Sequence, residues 1–143
     1  ETEIIVLMDR NEKGSFITAI GLGLDLTLRD LQSDLKAAGK PWTLAKSFDG
    51  AAIVSRFISR NEIPSLNQIR FSMLLNGEIR QRGDSSEMIL PLEKIPDYLE
   101  EYTDLQPGDI IFTGTPEGVG VLNPGDEVSL DLAGHHMGTI RFS

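Results

Sequence analysis

The sequence has 143 residues, no cysteine, and 22 acidic against 13 basic residues for a formal net charge of −9. That length suits one domain with a substantial core, and the acidic balance argues against a nucleic-acid backbone or an anionic membrane as partner. Without cysteine there are no disulfides, thiolate nucleophiles or sulfur-ligated metals, a composition compatible with a cytoplasmic protein, and no apolar run reaches the ~20 residues of a membrane-spanning helix.

In chain order, Ile4 to Leu7 of "ETEIIVLMD" predict a β-strand, closed by the polar turn Asp9-Arg10-Asn11. "FITAIGLGLDL" predicts a second strand. "TLRDLQSDLKAAG" predicts a helix capped by Thr27, with Asp30 in its first turn, Leu28, Leu31 and Leu35 on one face, and Gly39 as its stop before Pro41. "AAIVSRFI" reads as a short strand, and "IRFSMLLNGEIRQR" as two strands joined by the hairpin turn Asn76-Gly77. "LPLEKIPDYLEEYT" has helical spacing at Leu92, Ile95, Leu99 and Tyr102, bent or divided at Pro96. Two Pro-Gly-Asp turns each precede a strand, and "MGTIRF" is a last strand. The expected fold is α+β, mostly β, without the alternation of a doubly wound sheet.

Glu1 and Glu3 are two apart at the head of the first strand, so their carboxylates point the same way. They repel unless water or a cation lies between them, which leaves two readings open: charges screened at the surface, or part of a metal site. Asp25 ends the second strand just before the helix. Alone it reads as a carboxylate near the positive end of a helix. With Glu1 and Glu3 it makes an all-oxygen set, which favours Mg²⁺, Mn²⁺ or Ca²⁺ over zinc. Lys46 is either a surface charge or a partly desolvated cation able to stabilise an enolate or carboxylate, and Trp42 reads as a packing residue. In "FTGTPEGVG", Gly114, Gly118 and Gly120 permit close backbone approach, while Thr113 and Thr115 offer hydroxyls to an anion. That loop lacks the nucleotide phosphate-loop pattern and also reads as a simple tight connection. His135 and His136 read as solvated turn residues.

The stretches "ETEIIVLM", "GLGLDLTLRDLQSDLKAAGKPWTLAKSFDGAAIVSRFI", "LLNGEIRQRGDSSEMI" and "LQPGDIIFTGTPEGVGVLNPGDEV", in this order, resemble the C-terminal catalytic domain of the fumarylacetoacetate hydrolase family, with closest likeness to its acylpyruvate- and fumarylpyruvate-hydrolase members. The resemblance covers nearly all of residues 1–143 and implies a single domain of mixed β-roll type. It implies Glu1, Glu3 and Asp25 as metal carboxylates, Lys46 as the active-site lysine, and Arg29, Gln32 and Thr115, with Lys46, as residues facing the substrate. The implied activity is divalent-metal-dependent cleavage of a C–C bond of a 2,4-diketo acid through a metal-stabilised enolate, with Mg²⁺ as the expected cation. An oxaloacetate decarboxylase or keto–enol tautomerase would use the same residues. A non-catalytic interaction domain is a third reading, disfavoured because the carboxylates and Lys46 are all present. The resemblance also implies a homodimer, a small keto acid as ligand, and an upstream segment bearing a water-activating His/Glu pair that is absent from these 143 residues. The connection between Glu3 and Asp25, near Arg10 to Ser15, looks short for this family.

Overall fold

The computed structural model describes residues 1–143. Its first strand, β1 (Thr2–Asn11), continues past the expected polar turn and pairs antiparallel with β2 (Gly14–Asp25). Asn11 lies opposite Gly14, so the short connection is a closed hairpin that turns at Glu12 and Lys13. The polar residues from Asp9 to Asn11 form the exposed end of this strand rather than its turn. A bulge between Leu7 and Met8 shifts the register once.

Beyond β2 come α1 (Arg29–Ala37), the one-turn α2 (Thr43–Lys46), β3 (Ala52–Val54) and β4 (Ile58–Ser59). Both short strands pair with β2, so "AAIVSRFI" is two strands and not one. The hairpin β5 (Arg70–Leu75) and β6 (Glu78–Asp84) turns at Asn76 and Gly77, with φ of 53° and 84°. Both are left-handed values, as a two-residue turn of this hand requires. A single 3-10 turn at Leu92–Lys94 leads into α3 (Ile95–Glu100), whose second residue is Pro96. The chain ends with β7 (Ile110–Phe112), β8 (Glu127–Leu132) and β9 (His135–Arg141). β9 starts at the two histidines, because the turn falls at Ala133-Gly134.

The strands form two curled sheets, ordered β3-β2-β1-β7, with β4 also on β2, and β6-β5-β8-β9. Every pairing is antiparallel. One apolar cluster joins the sheets: Ile4, Val6 and Met8 of β1 and Ile20, Leu22 and Leu24 of β2 share it with Met73 of β5 and Val128, Leu130 and Leu132 of β8. The fold is therefore α+β and mostly β, a roll built around a single core. No helix is long and apolar enough to cross a membrane.

β1 lies between β2 and β7 and is buried on both faces, which explains its unbroken apolar run. Its even-numbered side chains enter the shared core, and Glu3 and Ile5 point to the other face. α1 differs from expectation in two ways. Its N-cap is Leu28, with no side-chain cap, because the Thr27 hydroxyl accepts a hydrogen bond from Lys46 Nζ at 2.8 Å instead. The buried residue of α1 is Gln32, while Leu28 is 45% exposed and Leu31 and Leu35 are only half-buried, so the leucines form no core face. Trp42 is also half-exposed, its ring beneath Lys36 Nζ at 4.4 Å from the centroid, and does not pack into the core.

Candidate metal centre

The β1–β2 register assembles the site. Thr2 lies opposite Leu24 and Glu3 opposite Gly23, and the Asp25 N–H donates to the Glu1 carbonyl at 2.9 Å. That last bond sets Asp25 across from Glu1. Side chains of directly opposed residues share a face, as do residues two apart on a strand. The carboxylates of Glu1, Glu3 and Asp25 therefore converge, with ligand oxygens all within 4.8 Å of one another. The glycine opposite Glu3 leaves room: a Cβ at position 23 would lie 2.5 Å from Phe112 Cε1 and 2.8 Å from Ile5 Cγ2.

Two cations border the cluster. α2 delivers Lys46, whose Nζ lies 2.5 Å from Asp25 Oδ2 and 3.5 Å from Glu1 Oε2. α1 delivers Arg29, which donates from Nη2 to Glu1 Oε1 at 2.5 Å and from Nη1 to Gln32 Oε1 at 2.9 Å. Arg29 stays half-exposed at the rim, whereas Lys46 is mostly covered.

Glu3 lies deepest, at 5% exposure, and its Oε2 accepts the Gly114 N–H at 2.7 Å. Burial pushes its carboxyl above the ordinary value against the pull of that N–H, and the negative charges of Asp25 and Glu1 push the same way. Burial also raises Glu1, but the Arg29 hydrogen bond and the charge of Lys46 outweigh it and hold Glu1 below its ordinary value.

These residues fit a hard divalent cation. Three carboxylates face two cationic side chains, one of them half in solvent, so the cluster carries excess negative charge and Glu3 feels it most. The donor set is all oxygen, with no sulfur or imidazole, and the remaining coordination positions are open to water or a ligand.

Of the residues singled out from sequence, Glu1, Glu3, Asp25, Lys46, Arg29 and Gln32 are brought together. Thr115 lies beside them, but its hydroxyl donates to the Thr2 carbonyl at 2.9 Å and accepts from Gln81 Nε2 at 3.0 Å. Its proton is thus committed to the strand, not offered to an anion. Thr113 is likewise engaged, donating to the Ile4 carbonyl at 2.8 Å. His135 and His136 are exposed, as expected, but they open β9 instead of lying in the turn before it. Sequence reasoning missed three parts of the site: the Gly114 amide, the Thr27 hydroxyl and the buried Gln81.

The model of the C-terminal domain of fumarylacetoacetate hydrolase matches residues 6–142. The chain belongs to the fumarylacetoacetate hydrolase family. A mitochondrial oxaloacetate tautomerase of Pongo abelii is 37% identical over 99% of this chain and 66% of its own length. A solved fumarylacetoacetate hydrolase family protein from Yersinia pestis superposes with a TM-score of 0.92 at 39% identity, covering all of this chain and 72% of that one. The fumarylpyruvate hydrolase of Pseudomonas aeruginosa, solved with Mn²⁺ and pyruvate, has a TM-score of 0.88 at 29% identity over 99% of this chain and 64% of its own. The chain spans about half to two-thirds of the curated family members it matches, from 51% to 66% of their lengths.

Proposed function

We propose that these residues form the metal centre of an enzyme acting on small 2-oxo acids, and that its reaction is the keto–enol tautomerisation of oxaloacetate or a close analogue. The observation that carries this reading is the convergence of Glu1, Glu3 and Asp25, with Lys46 Nζ 2.5 Å from Asp25. The names of the curated relatives, oxaloacetate tautomerases at 36–41% identity, favour this reaction over others of the family.

The three carboxylates would hold Mg²⁺ or Mn²⁺, which when bound supplies Lewis-acid charge to a 2-oxo group and its neighbouring carboxylate. Glu3, fixed by the Gly114 N–H, serves as a ligand and not as a mobile base. Lys46 holds a positive charge where the 2-oxo oxygen gains negative charge during proton removal. Arg29, half-exposed and already paired with an acid, is placed to take the far carboxylate of a dicarboxylic acid, with Gln32 fixing its guanidinium. Thr115 can meet the substrate only by exchanging its bond to Thr2. No residue of the cluster is free to act as a general base.

A second reading is cleavage of a 2,4-diketo acid, favoured by the Pseudomonas hydrolase solved with Mn²⁺ and pyruvate. The test follows enol-oxaloacetate absorbance, and pyruvate release from oxaloacetate and from acetylpyruvate, with Mg²⁺ or Mn²⁺ and then with EDTA. Metal-dependent loss of enol without pyruvate supports the tautomerase. Pyruvate from acetylpyruvate supports the hydrolase instead, and pyruvate from oxaloacetate a decarboxylase. No acceleration over the protein-free solution in any assay overturns the enzymatic reading.

A further inference from the structure

β7 leaves the edge of β1 after Phe112, which pairs with Ile5. Beyond that point the β1 backbone would have no neighbour on this side, yet Thr2 is fully buried there. Buried backbone groups need partners; the Thr113 N–H still reaches the Ile4 carbonyl at 3.2 Å, and side chains provide the rest. Thr113 Oγ1 donates to the Ile4 carbonyl at 2.8 Å, and Thr115 Oγ1 to the Thr2 carbonyl at 2.9 Å. Between these two threonines, the Gly114 N–H reaches past the backbone to the Glu3 carboxylate. Gly114 has a φ of 99°, a left-handed value that glycine adopts without strain.

The last partner comes from the other sheet. Gln81 of β6 is 2% exposed, and its Oε1 accepts the Thr2 N–H at 3.0 Å. Its Nε2 donates to Thr115 Oγ1 at 3.0 Å, with the Pro116 and Glu117 carbonyls at 3.3 and 3.4 Å. Gln81, Thr2 and Thr115 thus close a ring of three hydrogen bonds around the residue that separates Glu1 from Glu3. One amide fixes both the strand that carries the glutamates and the loop that holds one of them.

We propose that Gln81 is a positioning residue of the carboxylate cluster, holding β1 and the 113–117 loop at the spacing where Gly114 grips Glu3. This rests on the reading of the cluster as a cation site, and the test keeps the two apart. Partners that orient metal ligands through hydrogen bonds are typically worth about 10–100-fold in affinity. Gln81→Met keeps the side chain's length and removes its polar atoms.

Amide hydrogen exchange followed by NMR, together with Mn²⁺ calorimetry on the purified protein, gives the readouts. Gly114 and Thr2 are expected to lose protection in Gln81→Met, the Gly114 resonance to move, and the Mn²⁺ dissociation constant to rise about 10–100-fold. The Leu130 amide in β8 is expected to keep its protection, which separates this effect from general loosening. Gln81→Asn, which keeps an amide but is too short to span strand and loop, is expected to behave alike, and it stands in should the Met variant not fold. A folded variant that keeps Gly114 protected, or binds Mn²⁺ as tightly as the parent, overturns the assignment. If the parent binds no Mn²⁺, the cation reading fails, and the Gly114 amide alone decides for or against Gln81.

Discussion

The backbone N–H of Gly114 holds the carboxylate of Glu3 at 2.7 Å across 111 residues of sequence. It is the one neutral donor on a carboxylate that burial and two like charges drive toward protonation. A cation relieves that conflict, and so does removal of the charge. Glu3→Gln keeps an acceptor for Gly114 and loses the charge. Without metal, its melting temperature is expected to equal or exceed the parent's. The rise in melting temperature that Mn²⁺ gives the parent is expected to vanish. Scanning calorimetry with and without Mn²⁺ checks both, and a metal-induced rise that survives the substitution removes Glu3 from the ligand set.

Lys46→Met takes the ammonium away from Asp25 and Glu1. Loss of one preorganised charge at a developing oxyanion is worth about 10²–10³-fold in kcat, and that loss is expected in the decay of enol-oxaloacetate with metal present. Lys46→Arg is not expected to restore the rate, since the guanidinium fork cannot place a point charge between two acids. An unchanged kcat in Lys46→Met would reduce Lys46 to an ion-pair partner.

Gly23→Ala puts a methyl where the Phe112 ring and Ile5 already lie. Both belong to packed strands, so the backbone must give, and a loss of about 1–3 kcal/mol is expected. Urea unfolding measures it. A loss well below this would show that the ring moves freely.

Asn76 joins two turns. Its Oδ1 accepts the Glu127 N–H at 2.9 Å and its Nδ2 donates to Asp126 at 2.8 Å, so the β5–β6 turn is tied to the start of β8. Asn76→Gly tolerates the left-handed φ but drops both bonds, at an expected cost of about 1–2 kcal/mol. Asn76→Ala adds the φ penalty and is expected to cost more. Equal urea midpoints for the two variants would contradict the role assigned to φ.

Asp84 is held below its ordinary value of 3.8, first by the Ser86 N–H, then by the Ser86 hydroxyl and Arg70. A depressed carboxylate binds fewer protons folded than unfolded. Its stabilisation is therefore present above the unfolded value and is lost as pH falls through the folded one. Asp84→Asn is expected to flatten the acid limb between those two values and leave its shape near neutrality unchanged. Urea midpoints measured across the acid range check it, and an unaltered acid limb would rule out the linkage.

Much of this was legible in the residues. Asn76-Gly77 located its hairpin because few other residues accept those dihedrals. The alternation of Glu1 and Glu3, and a second strand ending at Asp25, pointed to three acids near one another. Gln81 was hidden by a register shift. Counted back from the turn, Arg80 would oppose Met73, but an irregularity at Met73/Leu74 places Gln81 there and turns its amide inward. The leucines of α1 misled for another reason: the helix lies over a polar site, so Gln32 is the residue it buries. Thr27 lost its capping role to a lysine 19 positions away, a competition that no local pattern reveals. Gly114 was legible as a point of close backbone approach, but nothing local named the Glu3 carboxylate, 111 residues away, as what its N–H meets.

During synthesis, a chain made only as far as the end of β6 already owns Glu1, Glu3, Asp25 and Lys46. It lacks Gly114 and Thr115, which leave the ribosome only after β6 and β7. On the reading of the cluster as a cation site, its completion waits for the loop after β7, and a truncated product from a stalled ribosome would present the acids without that clasp.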